Sequence, residues 1–123
     1  MGERILYIED SPSNRLLVTR ILSAEGYEVL EAADGVEGIN VARSEHPDLI
    51  LMDMNLPEID GYELTETFRS DPDLADIPVV AMTANVMQGD REKALQAGCV
   101  GYIPKPIDVD LLPSQVADFL NAT

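Results

Sequence analysis

Short apolar runs alternate with segments of helical periodicity along the chain, and this alternation restricts the possible folds more than any other feature of the sequence. A helical segment follows each run, as expected for parallel strands that are joined by crossover helices. We therefore predict an α/β fold, a (βα)5 doubly wound sheet of five parallel strands with helices on both faces. The runs predicted to be strands are Arg4–Ile8, Tyr27–Ala32, Leu49–Met52, Val79–Met82 and Gly101–Ile103.

The helical segments are bounded by residues that commonly begin or end helices. Asp34-Gly35 marks a turn before the second helix. The lone histidine, His46, stands before Pro47 at the end of that helix, where we interpret it as a partner of the helix dipole and not as a catalytic base. The predicted helices run from Ser11-Pro12 to Gly26, over Val36–Ser44, over Tyr62–Arg69, through the second half of Val86–Ala97, and from Asp108 to about Leu120.

Length, charge and cysteine content narrow the class of protein. The 123 residues suffice for one domain with a real core but not for two. A formal net charge of −15 disfavours direct binding to nucleic acid or anionic membranes and suits cations or basic partners. The single cysteine, Cys99, excludes an intrachain disulfide, and the N-terminus lacks the apolar segment of a signal peptide. We therefore predict a cytoplasmic protein.

Polar groups follow four of the five predicted strands, at the point where each strand ends. Glu9 and Asp10 follow the first strand, Asp53 the third, Thr83 the fourth and Lys105 the fifth. The carboxyl ends of parallel strands meet at one edge of a sheet, which is where ligands bind in such folds. Each of these residues alone has an ordinary structural explanation. Because all of them lie at the carboxyl ends of strands, together they predict one functional crevice.

The three acids would repel one another strongly unless a cation neutralised them. Oxygen ligands around an open site favour Mg²⁺, with Mn²⁺ or Ca²⁺ as alternatives. A cation and the Lys105 ammonium would neutralise a phosphoryl group, the Thr83 hydroxyl would donate a hydrogen bond to it, and the Asp53 carboxylate would attack it. Lys105 precedes Pro106, so a cis peptide bond there would be inexpensive and would turn the chain sharply.

Four motifs in order resemble the receiver domain of two-component response regulators, the CheY-like family, over nearly the whole chain: "IEDSPSN", "LILMDMNLPEIDGYEL", "VVAMTA" and "GYIPKPID". The resemblance implies the strand order 2-1-3-4-5. It also implies a role for each matching residue. Asp53 would be the phosphoacceptor, Glu9, Asp10 and Asp53 would bind Mg²⁺ together with the backbone carbonyl of Asn55, Thr83 and Lys105 would contact the phosphoryl group, and Tyr102 would switch rotamer.

The resemblance further implies partners and a means of regulation. A histidine kinase or a histidine phosphotransfer protein would donate the phosphoryl group, and a target would read the surface of the fourth helix, fifth strand and fifth helix. Asn55 and Asn85 would tune a slow self-dephosphorylation. The stretch from Thr83 to Asp108 is most similar to receivers of hybrid histidine kinases and to stand-alone cell-cycle receivers. We expect residues 1–123 to form one receiver domain without an output domain, as a monomer or weak homodimer.

Three other functions fit parts of the sequence. A phosphatase of the haloacid dehalogenase type also ends a strand on a nucleophilic aspartate, but it needs a second aspartate where this chain has Asn55. A flavodoxin-like module would place a phosphate against the acidic "EDSPSN" loop and has no tryptophan here to stack on a flavin. A docking module that works without phosphate would not need the full set of acids, threonine and lysine. A fragment of a longer protein also stays open, although Met1 directly before the first strand favours a natural N-terminus.

Overall fold

The computed structural model describes residues 2–56, 60–84 and 90–121. The strands are all parallel and lie in the order β2-β1-β3-β4-β5, which confirms the predicted fold class and strand order. The elements are β1 (Arg4–Ile8), α1 (Pro12–Ala24), β2 (Glu28–Ala32), α2 (Gly35–Glu45), β3 (Leu49–Asp53), α3 (Gly61–Ser70), β4 (Val79–Thr83), α4 (Asp90–Ala97), β5 (Gly101–Pro104) and α5 (Leu112–Asn121).

Alternate residues of the strands point into two separate apolar cores, one on each face of the sheet. The central strands β3 and β4 are buried along their whole length, as their continuous apolar sequences predict. On one face Leu6, Ile8, Ile50, Met52, Val79 and Ala81 pack against residues of α2, α3 and α4. On the other face Ile5, Tyr7, Leu49, Leu51, Val80 and Met82 pack against residues of α1 and α5.

The register of the strands aligns their carboxyl ends along one edge of the sheet. Ile8 lies opposite both Ala32 and Met52, and Asp53 lies opposite Met82. One strand further, Thr83 lies opposite Pro104. The residues that directly follow these positions therefore meet at a single edge, which we call the carboxyl edge.

Several element boundaries differ from the predicted ones. Asp34-Gly35 is not a separate turn: the Asp34 side chain caps α2 by accepting from the Glu37 backbone N–H at 2.8 Å, so the helix begins at Gly35. Asp108 accepts hydrogen bonds from the backbone N–H groups of Asp110 and Leu111, which forms a turn, and α5 itself begins only at Leu112.

One prediction about an individual residue is confirmed, and for His46 the predicted place at the end of a helix is confirmed while its role as a partner of the helix dipole stays a prediction. The Lys105–Pro106 peptide bond is cis. His46 ends α2 in the left-handed conformation, with φ of 45°, and its Nε2 lies 3.4 Å from Asp76 Oδ1. Among the described residues, no helix combines the length and apolar character needed to cross a membrane.

Candidate functional site

Glu9 is the most enclosed acid of the carboxyl edge, with only 1% of its surface exposed. Its Oε1 accepts hydrogen bonds from the Tyr7 hydroxyl at 3.0 Å and from Lys105 Nζ at 2.9 Å. Asn14 Nδ2 makes a longer contact with the same oxygen at 3.4 Å, and the Ser11 backbone N–H contacts Oε2 at 3.4 Å. A buried carboxylate needs such donors, so Glu9 is held in one orientation by groups from β1, α1 and the end of β5.

Asp53 ends β3 and is 3% exposed. Its Oδ1 lies 3.1 Å from Lys105 Nζ and accepts a hydrogen bond from the Asn55 backbone N–H at 3.1 Å. Lys105 directly follows β5, the outermost strand beyond β4, and its ammonium therefore bridges Glu9 and Asp53. Because the chain enters the edge from a strand buried on both faces, the position of the Asp53 carboxylate is set by the core beneath it.

The start of α3 packs directly against the chain that follows Asp53. The Asp60 side chain caps this helix by accepting from the Tyr62 backbone N–H at 2.8 Å. A Cβ added to Gly61 would lie 2.7 Å from Met54 Cα and 3.3 Å from the Asp53 carbonyl oxygen. Both neighbours are backbone atoms, so only a residue without a side chain allows α3 to approach Asp53 this closely.

The acids of the site differ in how readily they take up a proton. Burial raises the pKa of Asp53, and the adjacent Glu9 carboxylate raises it further. For Glu9, burial acts in the same upward direction, but hydrogen bonds to Asp53, Lys105 and Tyr7 outweigh it and lower the pKa to about 2. Burial disfavours the Lys105 ammonium, yet contacts with the two carboxylates raise its pKa. Glu9 and Lys105 are therefore a fixed pair of opposite charges beside a more basic Asp53.

Three carboxylates converge at this edge in a way that fits a cation. Glu9, Asp10 and Asp53 each offer an oxygen, and these atoms all lie within 4.8 Å of one another. Asp10 is exposed while the other two acids are buried, so the group opens to solvent on one side. Oxygen donors with one open side suit a hard divalent ion that keeps some of its water, and the acidic group is therefore consistent with a site for such an ion.

Of the other predicted residues, Thr83 ends the neighbouring strand β4, Tyr102 lies within β5, and Asn55 follows β3. Thr83 ends β4 and is 4% exposed, and its carbonyl accepts from the Lys105 backbone N–H at 2.8 Å. Tyr102 is half-buried on β5, opposite Ala81, and its ring packs against the core under α2, α3 and α4. Asn55 is exposed, and Asn85 lies outside the described residues.

The sequence did not predict that Tyr7 and Arg15 would contact Glu9. Tyr7 was predicted only as part of a buried strand, yet its hydroxyl reaches the Glu9 carboxylate. Arg15 Nη1 donates to the Glu9 backbone carbonyl at 2.6 Å, and its Nε lies 3.4 Å from Glu31 Oε1. The contact of Tyr7 could have been predicted from the sequence, because Tyr7 and Glu9 are two residues apart and such residues of a strand point to the same side.

Comparisons with known proteins agree with this geometry. A family model described as "Response regulator receiver domain" matches residues 5–117. The chain is 41% identical over 121 residues to the polar-differentiation response regulator DivK of Brucella ovis, with 98% of each chain covered.

Solved structures give the same result. The receiver domain of a sensor histidine kinase from Pseudomonas aeruginosa, solved with a magnesium ion in its active site cleft, is similar at 37% identity and a TM-score of 0.88, over 98% of this chain and 99% of that chain. The chemotaxis response regulator CheY4 of Vibrio cholerae is similar at 27% identity and a TM-score of 0.90, over 96% of this chain and 98% of that chain.

Proposed function

The chain belongs to the response regulator receiver domains of two-component signalling, and from this premise we propose that it is a phosphoacceptor module in which Asp53 receives the phosphoryl group. A carboxylate oxygen of Asp53 attacks the phosphorus of a phosphohistidine. The new P–O bond forms as the P–N bond breaks, and the donor's imidazole keeps the electron pair and takes up a proton. A histidine kinase or a histidine phosphotransfer protein supplies the phosphohistidine.

The observation that carries this proposal is the contact between a nearly buried nucleophile and a fixed ammonium. Asp53 Oδ1 lies 3.1 Å from Lys105 Nζ, and Lys105 is held by Glu9 at 2.9 Å. Phosphoryl transfer depends mainly on positioning and on neutralising the charge of the phosphoryl oxygens. We therefore assign Asp53 as the nucleophile, Lys105 as a charge partner of the transferred group and Thr83, at the next strand end, as its hydrogen-bond donor.

Glu9, Asp10 and Asp53 would hold a divalent cation beside this nucleophile, with the backbone carbonyl of Asn55 as a further ligand. The carboxylate donors fit Mg²⁺ best, with Mn²⁺ as the alternative. When bound, the cation supplies positive charge next to the phosphoryl oxygens. The Lys105 ammonium and a divalent cation together balance the charge of the three carboxylates, which supports a site that uses both.

Phosphorylation would reach a partner through Thr83 and Tyr102. A phosphoryl group adds charge and acceptor oxygens at the carboxyl edge, and Thr83 would turn toward them. Tyr102 would then pack inward, which changes the surface formed by α4, β5 and α5. The half-buried position of Tyr102 on an edge strand supports this role, because such a ring can shift between two packings. A downstream target binds the changed surface.

The phosphorylated state would be limited by slow self-dephosphorylation. Asn55 and Asn85 lie two residues beyond Asp53 and Thr83, and we propose that their carboxamides set how water reaches the phosphoryl group. Residues 1–123 act in this scheme as a single receiver domain, which the continuous sheet between the two cores supports. The protein catalyses only its own modification and its reversal.

The test is incubation with a small phosphoramidate donor and Mg²⁺, followed by intact mass spectrometry. The native chain should gain the mass of one phosphoryl group, and Asp53→Asn should gain none. Asp48→Asn is a matched control at the opposite edge of the sheet, and it should be labelled like the native chain. Labelling of Asp53→Asn, or turnover of simple phosphate esters by the native chain, would contradict the proposal.

A further inference from the structure

Tyr7 is completely buried on β1, among the apolar residues under α1 and α5, yet its hydroxyl reaches the carboxyl edge. It donates to Glu9 Oε1 at 3.0 Å. A phenol hydroxyl donates one hydrogen bond, and here a carboxylate oxygen accepts it. A buried phenol needs a hydrogen-bond partner, and here that partner is a carboxylate of the candidate site.

The two oxygens of the Glu9 carboxylate have different surroundings. Oε1 receives the Tyr7 hydroxyl, Lys105 Nζ and the longer contact from Asn14 Nδ2. Among the N–H and O–H donors of the described residues that contact Glu9, the Ser11 backbone N–H lies 3.4 Å from Oε2. Because a carboxylate oxygen accepts about two strong hydrogen bonds, Oε1 is saturated while Oε2 keeps capacity for another ligand.

We propose that Tyr7 is a positioning residue for the cation site, whose hydroxyl holds the Glu9 carboxylate so that Oε1 faces Lys105 and Oε2 is left for a divalent cation. This inference rests on the proposed function, since it assumes that the acidic group binds Mg²⁺. Without the Tyr7 hydroxyl, Lys105 would be the main strong donor to Glu9, and the carboxylate could rotate to bring either oxygen toward the ammonium. Groups that orient metal ligands typically change metal affinity by about 10- to 100-fold when removed.

The first experiment measures Mg²⁺ affinity by isothermal titration calorimetry in the native chain and in Tyr7→Phe. The variant keeps the ring in the core and removes only the hydroxyl, and we expect its Mg²⁺ affinity to fall about tenfold. Tyr27→Phe is the matched control, because Tyr27 packs on the same face of the sheet but directly precedes β2, at the opposite edge. An unchanged affinity in Tyr7→Phe, in a chain that circular dichroism shows to be folded, would overturn the inference.

A second readout follows the phenol itself. The chain has four tyrosines and no tryptophan, so its near-ultraviolet absorbance reports on tyrosines. Mg²⁺ binding at Glu9 should change the hydrogen bond of Tyr7 and give a difference spectrum that Tyr7→Phe loses and Tyr27→Phe keeps. A difference spectrum that persists in Tyr7→Phe would show that Mg²⁺ binding does not act on the Tyr7 phenol, and it would contradict the inference.

A double-mutant cycle tests whether Tyr7 acts through Glu9. Glu9→Asp keeps the charge but withdraws the carboxylate by one methylene, away from the Tyr7 hydroxyl. We expect Tyr7→Phe to change Mg²⁺ affinity in the native background and to have almost no effect in the Glu9→Asp background. Equal effects in both backgrounds would overturn the inference.

The outcomes for Tyr7 and for the proposed function are distinguishable. Mg²⁺ binding that depends on Tyr7, without phosphorylation of Asp53, would contradict only the proposed function. Phosphorylation with Mg²⁺ affinity independent of Tyr7 would contradict only the inference. A native chain that binds no Mg²⁺ would contradict the inference and the cation assignment together.

Discussion

The two edges of the sheet both carry ion pairs, but they bury them to very different degrees. At the opposite edge, where the strands begin and which we call the amino edge, Arg4 pairs with Glu28 and Glu45. The side-chain exposures of these three residues are 30%, 60% and 45%. At the carboxyl edge, Lys105 pairs with Glu9 and Asp53, with side-chain exposures of 18%, 2% and 4%. At each edge one cationic side chain pairs with two carboxylates, but these groups are in water at the amino edge and largely out of water at the carboxyl edge.

This difference in burial separates a structural contact from a candidate reactive site. Exposed ion pairs contribute little, because water and salt screen them and the side chains lose entropy. Buried charges are costly when left unpaired, and their pKa values depend on a few neighbours, which is typical of functional sites. We therefore expect substitutions at the carboxyl edge to change both stability and chemistry, and those at the amino edge to change neither strongly.

The largest effect on stability is expected for Lys105→Met. The substitution leaves the buried carboxylates of Glu9 and Asp53 without their ammonium, so the free energy of unfolding should fall by about 3 kcal/mol, the lower part of the range for breaking a buried pair. Urea unfolding in the presence of EDTA measures this loss without any contribution from bound cation. A loss no greater than that of Arg4→Met would remove the distinction between the two edges.

Mg²⁺ should stabilise the native chain through the carboxyl edge alone. A ligand that binds only the folded state at a hundred times its Kd adds about 2.7 kcal/mol to the free energy of unfolding. Glu9→Gln should lose most of this gain, because it removes one of the three carboxylates, whereas Arg4→Met should keep it. Urea unfolding with Mg²⁺ or with EDTA provides the comparison, and an equal gain in Glu9→Gln would place the cation elsewhere.

Substitutions at two glycines compare the two edges without changing any charge: Gly61 lies at the carboxyl edge and Gly26 at the amino edge. In Gly61→Ala the new Cβ would meet backbone atoms of Met54 and Asp53, so we expect a loss of about 2 kcal/mol and slower phosphorylation of Asp53. Gly26, between α1 and β2, has open space around a Cβ but a φ of +93°, so Gly26→Ala should cost about 1 kcal/mol through strain alone. Its phosphorylation rate should match that of the native chain. Equal labelling rates in the two variants would show that the approach of α3 does not position Asp53.

The sequence predicted the fold and the members of the acidic site because both depend on local patterns. Runs such as "LILM" and "VVAM" are apolar on both faces, which only central strands of a covered parallel sheet require. The alternation with helices then forces Glu9, Asp10, Asp53 and Lys105 to one edge. The comparisons confirm the receiver family that the four motifs predicted.

The features that sequence reasoning missed depend on distances across the fold. The contact of Lys105 Nζ with Glu9 Oε1 joins residues 96 positions apart in the chain, and only the packed sheet shows it. The role of Tyr7 was hidden because an apolar strand position gives a tyrosine an adequate explanation, and only the packed core shows where its hydroxyl ends. The start of α5 was misplaced because an aspartate side chain caps a single turn as well as it caps a helix.

The smallest effect is expected for Arg4→Met, and it tests the amino edge directly. The backbone N–H of Arg4 donates to Asp48 Oδ2 at 2.8 Å, and this bond does not depend on the side chain. The guanidinium contacts exposed glutamates and the Glu45 backbone carbonyl, so its removal should cost about 0.5 kcal/mol. Screening at 1 M salt, where the Debye length is about 3 Å, should remove much of that loss. Urea unfolding at low and high salt measures both values. A loss of several kcal/mol that salt does not reduce would mean that burial is not what separates the two edges.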